Sequence, residues 1–273
     1  MDLVIAKLIM RLAKKRNCNM AVLTEKQIKY GFDYYHKDDA RPKSVVEVSE
    51  YDGEDKLIIN CTQLDEGYSA KDKKRIWLEW CDFLVNNPDA FTELMFCTRM
   101  PQDLFDAVCA QRRLKKLHIK WGVYPDISKL ESLQELEYLH IGSGRSVSSL
   151  EPISRLVNLV ALSIENFQQI DDYAPLANLK HLESLALEGD FAAPKILKVQ
   201  SLEFLRHMKQ LRFFSLLTAK VIDKDYSPVL ELNNLEHLTL KSCKEVKQLY
   251  PQFVKLPKLK YGTVLERPEL YEK

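Results

Sequence analysis

From Phe91 to Leu265 the chain repeats one short phrase, with apolar residues at its first, fourth and sixth positions and mixed residues between. It is clearest in Leu136/Leu139/Ile141, Leu159/Leu162/Ile164, Leu182/Leu185/Leu187 and Leu235/Leu238/Leu240. Less regular copies are Phe91/Leu94/Phe96, Leu114/Leu117/Ile119, Leu211/Phe214/Leu216 and Leu259/Gly262/Val264, so that first residues fall 23, 22, 23, 23, 29, 24 and 24 apart. Spacing of this kind marks a stacked repeat. Positions four and six differ by two, so an extended strand turns both to one face, and positions three, five and seven to the other. No single unit can bury its own leucines; only strands laid side by side in a parallel sheet close a continuous core. Between strands a second phrase recurs, Ile170-x-x-Tyr173-x-Pro175-Leu176-x-x-Leu179-x-x-Leu182 and Val147-x-x-Leu150-x-Pro152-Ile153-x-x-Leu156-x-x-Leu159. Proline presets the backbone for a short helix or 3₁₀ turn, and leucines three apart share one side of it.

These phrases resemble the internalin-like class of leucine-rich repeats, which run I-x-x-I-x-P-L-x-x-L-x-x-L-x-x-L-x-L. The resemblance covers roughly residues 91 to 265. It implies an α/β leucine-rich repeat solenoid, with a curved parallel sheet on the concave side, short helical or 3₁₀ segments on the convex side, and a cytoplasmic bacterial setting. The asparagine that the class places after each strand is missing from most copies. Gly122, Gly144, Phe167, Asp190 and Ala219 stand there, and Cys243 alone fits the asparagine-or-cysteine choice. A buried asparagine ladder is therefore expected to be absent, leaving turn amides and carbonyls to pair with each other or with water.

Upstream, residues 1–88 read as an N-terminal helical and hairpin cap, and residues 89–273 as the repeat domain with a short tail. Residues 1–17 carry an amphipathic basic pattern that suits docking on the same protein better than lying on anionic membrane. Residues 26–43 read as a loop-rich connection. Val45–Val48 and Leu57–Ile59, separated by Asp52-Gly53, suggest a hairpin. Ser69-x-x-Asp72 resembles a capping box, and Ile76, Trp77, Trp80, Phe83 and Leu84 then recur at helical spacing up to Asn86-Asn87-Pro88. That helix is placed to cover the first repeat strand. The unit from Leu182 is about six residues longer than its neighbours, with the extra length at residues 189–195; insertions map to loops, where Phe191 stands either as a rim anchor or packed under its own loop.

The 40 basic and 39 acidic residues leave a net charge of +1, so no global field attracts nucleic acid or anionic membrane. The six cysteines show no C-x-x-C pair and no disulfide framework, which fits reduced thiols in a cytoplasmic protein. No apolar run reaches the roughly 18 residues of a spanning helix.

Candidate binding residues follow from the outward positions. Position three runs Glu93, Lys116, Tyr138, Ala161, Ser184, Phe213, His237, Tyr261; position five runs Met95, His118, His140, Ser163, Ala186, Ser215, Thr239, Thr263. Position seven adds Cys97, Lys120, Gly142, Glu165, Glu188, Leu217, Lys241 and Leu265. Exposed aromatics and charges of both signs on one concave face suit a protein partner. The expected partner-binding set is Lys116, His118, Lys120, Tyr138, His140, Glu165, Glu188, Phe191, Phe213, His237 and Tyr261. His118 and His140 should lie roughly 5 Å apart on neighbouring strands, yet no third ligand accompanies them, so no metal is assigned. The alternative function is an anion or nucleic-acid binder using the basic cluster Arg112, Arg113, Lys115, Lys116 and Lys120. No nucleic-acid motif supports it. There is no phosphate loop, no G-x-S-x-G elbow and no H-E-x-x-H, and Cys81 falls in the aromatic helix rather than beside a base. The reading is a non-catalytic protein-interaction module without cofactor or small-molecule substrate.

Overall fold

The computed structural model describes residues 23–31, 41–190 and 196–272. Among them nine strands form one parallel sheet: β1 Lys43–Val45, β2 Lys56–Ile59, β3 Glu93–Phe96, β5 Lys116–Ile119, β7 Tyr138–Ile141, β8 Ala161–Glu165, β9 Ser184–Glu188, β11 Phe213–Leu217 and β13 His237–Leu240, side by side in that order. The pairing register aligns position four across the sheet, so that Leu57, Leu94, Leu117, Leu139, Leu162, Leu185, Phe214 and Leu238 form one row. All eight are buried on the core side. This is the α/β repeat solenoid that the phrase predicts.

The sheet runs through the boundary expected at residue 88, because β2 pairs with β3. It also corrects the hairpin: β1 and β2 run parallel, Lys43 opposite Leu57 and Val45 opposite Ile59. The reason is the core. Leu57 stands opposite Leu94, Ile59 shares its side by alternation, and the parallel β1 lays the buried Val45 beside Ile59; Gly53 (φ 106°) bends the connection. The helix α2, Ala70–Asn86, is the crossover between β2 and β3 and packs against α3, Gln102–Val108. It buries Ile76, Trp80 and Leu84, and the Trp80 indole donates to the Val46 carbonyl at 2.8 Å. At its start Ser69 Oγ accepts the Asp72 amide at 3.1 Å. The Asp72 carboxylate takes the Ser69 hydroxyl at 2.6 Å instead of reaching back to the backbone, so half of the expected box forms.

On the far side of the core, 3₁₀ turns at Ser128–Ser132, Ala174–Asn178, Glu203–His207 and Ser227–Glu231 and the short helix α4, Glu151–Ser154, return the chain. Pro152 and Pro175 stand in the first turn of theirs, as expected. Asp126, Ser149, Asp172, Ser201 and Asp225 each accept the amide two residues on, at 2.8, 3.2, 2.8, 3.2 and 2.8 Å. Short oxygen-bearing side chains favour this local turn, and here it starts each return segment.

The position after the strand is used differently from an asparagine ladder. Gly144 lies against the buried Phe167 ring, where a Cβ would come within 2.0 Å of the ring. Two short parallel ladders also satisfy backbone there, β4 (Met100–Pro101) with β6 (Gly122–Val123) and β10 (Leu197–Val199) with β12 (Ala219–Val221). The last unit forms no strand. Tyr261 makes a single bridge to His237, and Gly262 (φ 98°) turns the chain into α6, Thr263–Glu266, with a built Cβ only 2.2 Å from the Leu238 carbonyl. Behind α5, Lys244–Phe253, the buried Tyr271 donates its hydroxyl to the Leu240 carbonyl and closes that end of the core.

Leu185 has core neighbours on both adjacent strands, Leu162 and Phe214. Leu185→Ala should therefore lower unfolding stability by about 2 to 5 kcal/mol in urea titration; a loss below about 0.5 kcal/mol would contradict the register.

Candidate functional site on the outward sheet face

A helix occupies the face expected to be concave and open. Residues 26–30, read from the sequence as part of a loop-rich connection, belong to a helix, α1, Glu25–Tyr30. Its N-cap is Thr24, whose hydroxyl accepts the Gln27 amide while the Gln27 side chain accepts the Thr24 amide at 2.8 Å, a complete capping box. Gly31 ends the helix at φ 84°, where a Cβ would sit 3.2 Å from Phe213 Cζ.

Leu23 and Ile28 share a buried apolar cluster with Tyr138, Val160, Ala161, Ala186 and Phe213, and Tyr261 packs against it. Ile28 is 0% exposed, Leu23 4%, Phe213 5% and Tyr138 6%. The expected exposure of Tyr138 and Phe213 is therefore corrected: each points away from the leucine core, as alternation requires, and each is covered by the chain's own N-terminal segment. The small residues Ala161, Ser184 and Ala186, set between Tyr138 and Phe213 on the pairing strands, leave room for the Ile28 side chain.

Polar contacts hold the segment at both ends. The Leu23 amide donates to Glu183 at 3.4 Å and the Leu23 carbonyl accepts from Arg212 at 3.3 Å. At the other end the Tyr261 hydroxyl donates to Glu25 at 2.7 Å, and Lys29 Nζ lies 5.7 Å from the Tyr261 ring centre. Burial raises the Tyr138 phenol above its ordinary value, against a hydrogen bond with the Gln27 side chain. His237 lies tilted by 32° against Phe213 with ring centres 4.3 Å apart and shares a 2.8 Å hydrogen bond with Thr239. Burial pushes its imidazole down to about 4, against Glu266 and the Ile28 and Lys29 backbone.

The strand-start positions next to this cluster form a row of charges. Lys115 pairs with Glu137 at 3.2 Å; Arg212 bridges Glu183 at 2.9 Å and Glu236 at 2.7 Å; Lys260 reaches Glu236 at 2.9 Å. Val160 is the apolar interruption in this charged row, and it belongs to the same buried cluster as Leu23. That interruption was the available signal.

Of the remaining expected residues, His118 and His140 stack with ring centres 4.3 Å apart, and His140 Nδ1 lies 3.0 Å from Ser163 Oγ. Lys116 stands 3.8 Å from the buried Glu93 and 5.4 Å from the Tyr138 ring centre. Lys120, Glu165 and Glu188 lie toward the strand ends, outside the apolar cluster; Glu165 pairs in register with Glu188, and Ser215 Oγ donates to Glu188 at 3.3 Å. Phe191 and the amphipathic residues 1–17 lie outside the described residues.

Three members of the basic cluster, Arg112, Lys115 and Lys116, face carboxylates. Arg112 pairs with Asp89, Arg113 donates to the Asp89 carbonyl at 3.1 Å, and Lys115 and Lys116 face Glu137 and Glu93. Burial pushes the Cys81 thiol up to about 12, opposite to what an attacking thiolate requires. Among the described residues no group of three or more His, Cys, Asp or Glu is arranged to hold a metal. One cavity of about 460 Å³ is lined by Trp121, Tyr124, Arg145, Asn166 and Asp190, among others, and another of about 570 Å³ by Lys73, Lys74, Trp77 and Arg99, among others; both lie away from the α1 cluster.

Aligned leucine rows, parallel pairing throughout and 3₁₀ returns settle the architecture. The chain is a leucine-rich repeat solenoid. No protein-family model and no curated protein matches its sequence. Among solved structures the solenoid is similar to an internalin, InlF, of Listeria monocytogenes, at 18% identity over 76% of this chain and 51% of that one, with a TM-score of 0.48. It is also similar to internalin C2 of that organism, at 19% identity over 66% and 71% of the two chains and a TM-score of 0.45. A leucine-rich repeat protein of Leptospira interrogans gives 15% identity over 76% and 50%, with a TM-score of 0.47. The solenoid spans about half the length of the first and third of these.

Because α1 covers His237, the docked state keeps the imidazole neutral while an undocked state would protonate near the ordinary value of about 6.5. The folded value is depressed, so this stabilisation is present above about 6.5 and is lost as pH falls towards about 4. NMR titration should place His237 near pH 4 in the native protein and near 6.5 in an Ile28→Asp variant; a native value near 6.5 would show that α1 does not bury it.

Proposed function

We propose that the solenoid is a non-catalytic protein-interaction module that docks a protein partner on its outward sheet face. One observation carries this reading: that face already holds a polypeptide segment, with Leu23 and Ile28 buried among Tyr138, Ala161 and Phe213. Aromatic anchors with small residues between them and charged groups at the edges make a surface suited to protein docking. Tyr138, Phe213, His237 and Tyr261 are the apolar and aromatic centre. Lys116, His118 and His140 extend it on one side, and Lys120, Glu165 and Glu188 supply polar contacts at the strand ends. Phe191, in the longer unit that starts at Leu182, is proposed as a further contact. The free thiols of Cys61, Cys81, Cys97, Cys109 and Cys243 suit a cytoplasmic setting. No helix among the described residues is long and apolar enough to cross a membrane.

The anion-binding alternative is weakened by the pairing of Arg112, Lys116 and Lys115 with Asp89, Glu93 and Glu137. A phosphate would have to displace these carboxylates, and its binding would fall steeply with salt.

Photo-crosslinking groups placed in the full chain at Lys120 and Ser163 should capture a partner polypeptide in cells. The same groups at Lys180 and Lys209, on the return segments, should not. Tyr138→Ala and Phe213→Ala should each weaken the captured interaction by about 2 kcal/mol or more. Capture from Lys180 or Lys209 alone would place the docking surface on the other side.

A further inference from the structure

We propose that the outward face is a groove for one short amphipathic helix, and that residues 23–31 are its resident occupant, exchanged for a partner helix of the same chemistry. The inference rests on the protein-docking reading and deepens it by naming the partner class.

The first support is the separation of two apolar clusters. Leu23 and Ile28 belong with Tyr138, Val160, Ala161, Ala186 and Phe213, whereas the leucine rows and the return segments form a core of their own. Removing the segment therefore leaves the solenoid core closed. The second support is the shortness of the segment. A helix of six residues is too short to persist in isolation. Its described apolar anchors are two side chains, and their burial must offset the ordering of nine residues. An occupant held in this way is exchangeable.

The third support is the chemistry of the contacts, which defines what would replace it. The Glu183 and Arg212 contacts are to the Leu23 backbone, so they accept any chain at that point. Side-chain selection comes from Leu23 over Val160, from Glu25 against the Tyr261 hydroxyl, from Ile28 between Tyr138 and Phe213, and from Lys29 beside the Tyr261 ring. The partner motif is therefore an apolar residue, an acid two positions on, a branched or long aliphatic three further, and a cation immediately after. Spacing of three places the acid and the aliphatic on adjacent parts of one helix surface. Gly31 adds a condition: its positive φ and its closeness to Phe213 call for glycine or a chain end after the helix.

The test uses the full chain and a fluorescent peptide of residues 21–33, followed by anisotropy. Ile28→Asp in the protein should empty the groove, and the peptide should bind this variant at least about tenfold more tightly than wild type. A peptide carrying Ile28→Asp should bind neither. Glu25→Lys in the full chain, which removes the contact with the Tyr261 hydroxyl and leaves the leucine core untouched, should also raise peptide binding and increase hydrogen exchange over residues 23–31; it serves as the second variant if Ile28→Asp does not fold. Equal binding of the peptide to wild type and to folded variants, or no saturable binding at about 1 mM peptide, would overturn the proposal. Were a partner still crosslinked at Lys120 or Ser163, the docking reading would stand and the helix-exchange inference alone would fall.

Discussion

Everything in this molecule depends on the alternation of a parallel strand held in strict register. Once Leu94, Leu117, Leu139, Leu162 and Leu185 are aligned on the core side, positions three and five of each unit must stand on the opposite side, whatever their chemistry. The core row can be filled by any residue of suitable volume, and the chain uses Phe214 within it without loss of register. The outward row is free to vary because folding does not consume it. In this chain it carries Tyr138, Phe213, His237 and Tyr261, more aromatic surface than a wetted sheet needs, and α1 is the consequence.

The central architecture was legible because both phrases have a fixed period and an unambiguous physical reading. The ends were not, and for specific reasons. Leu57 and Ile59 occupy the fourth and sixth positions of a further unit, but Glu54 stands at its first position and the 17-residue α2 separates it from Leu94. The period therefore breaks just where the array begins, and a turn signal at Asp52-Gly53 suggested the commoner local solution. At the other end Gly262 replaces the expected leucine because the backbone closes against Leu238, which no pattern of apolar residues announces.

The outward face was legible as a set of positions but not as a packed surface. Alternation says where Tyr138 and Phe213 point; it does not say what lies over them, because the cover comes from residues over a hundred positions upstream. The capping box Thr24–Gln27 and the anchor Ile28 were present in the sequence, yet one helical turn with a single buried side chain has no periodicity to detect. What would have exposed it is a negative feature of the array. Every strand-start position from Lys115 to Lys260 is charged except Val160, and an apolar residue there needs a partner that the repeats themselves cannot supply.

That same interruption explains why the segment lands where it does. A charged row at the strand starts is self-satisfied wherever opposite signs alternate, as in Glu183–Arg212–Glu236–Lys260, and it then offers little to an approaching chain. At Val160 the alternation stops, leaving Glu183 and Arg212 at its edge with capacity for a backbone amide and carbonyl. Leu23 meets both requirements at once, sharing the buried apolar cluster of Val160 and offering main-chain polar groups to the two flanking charges. From that fixed point one helical turn carries Ile28 to the small residues between Tyr138 and Phe213. The position of the occupant is thus set by one break in a charge pattern and one gap in an aromatic row, both on strands whose register is fixed by the core.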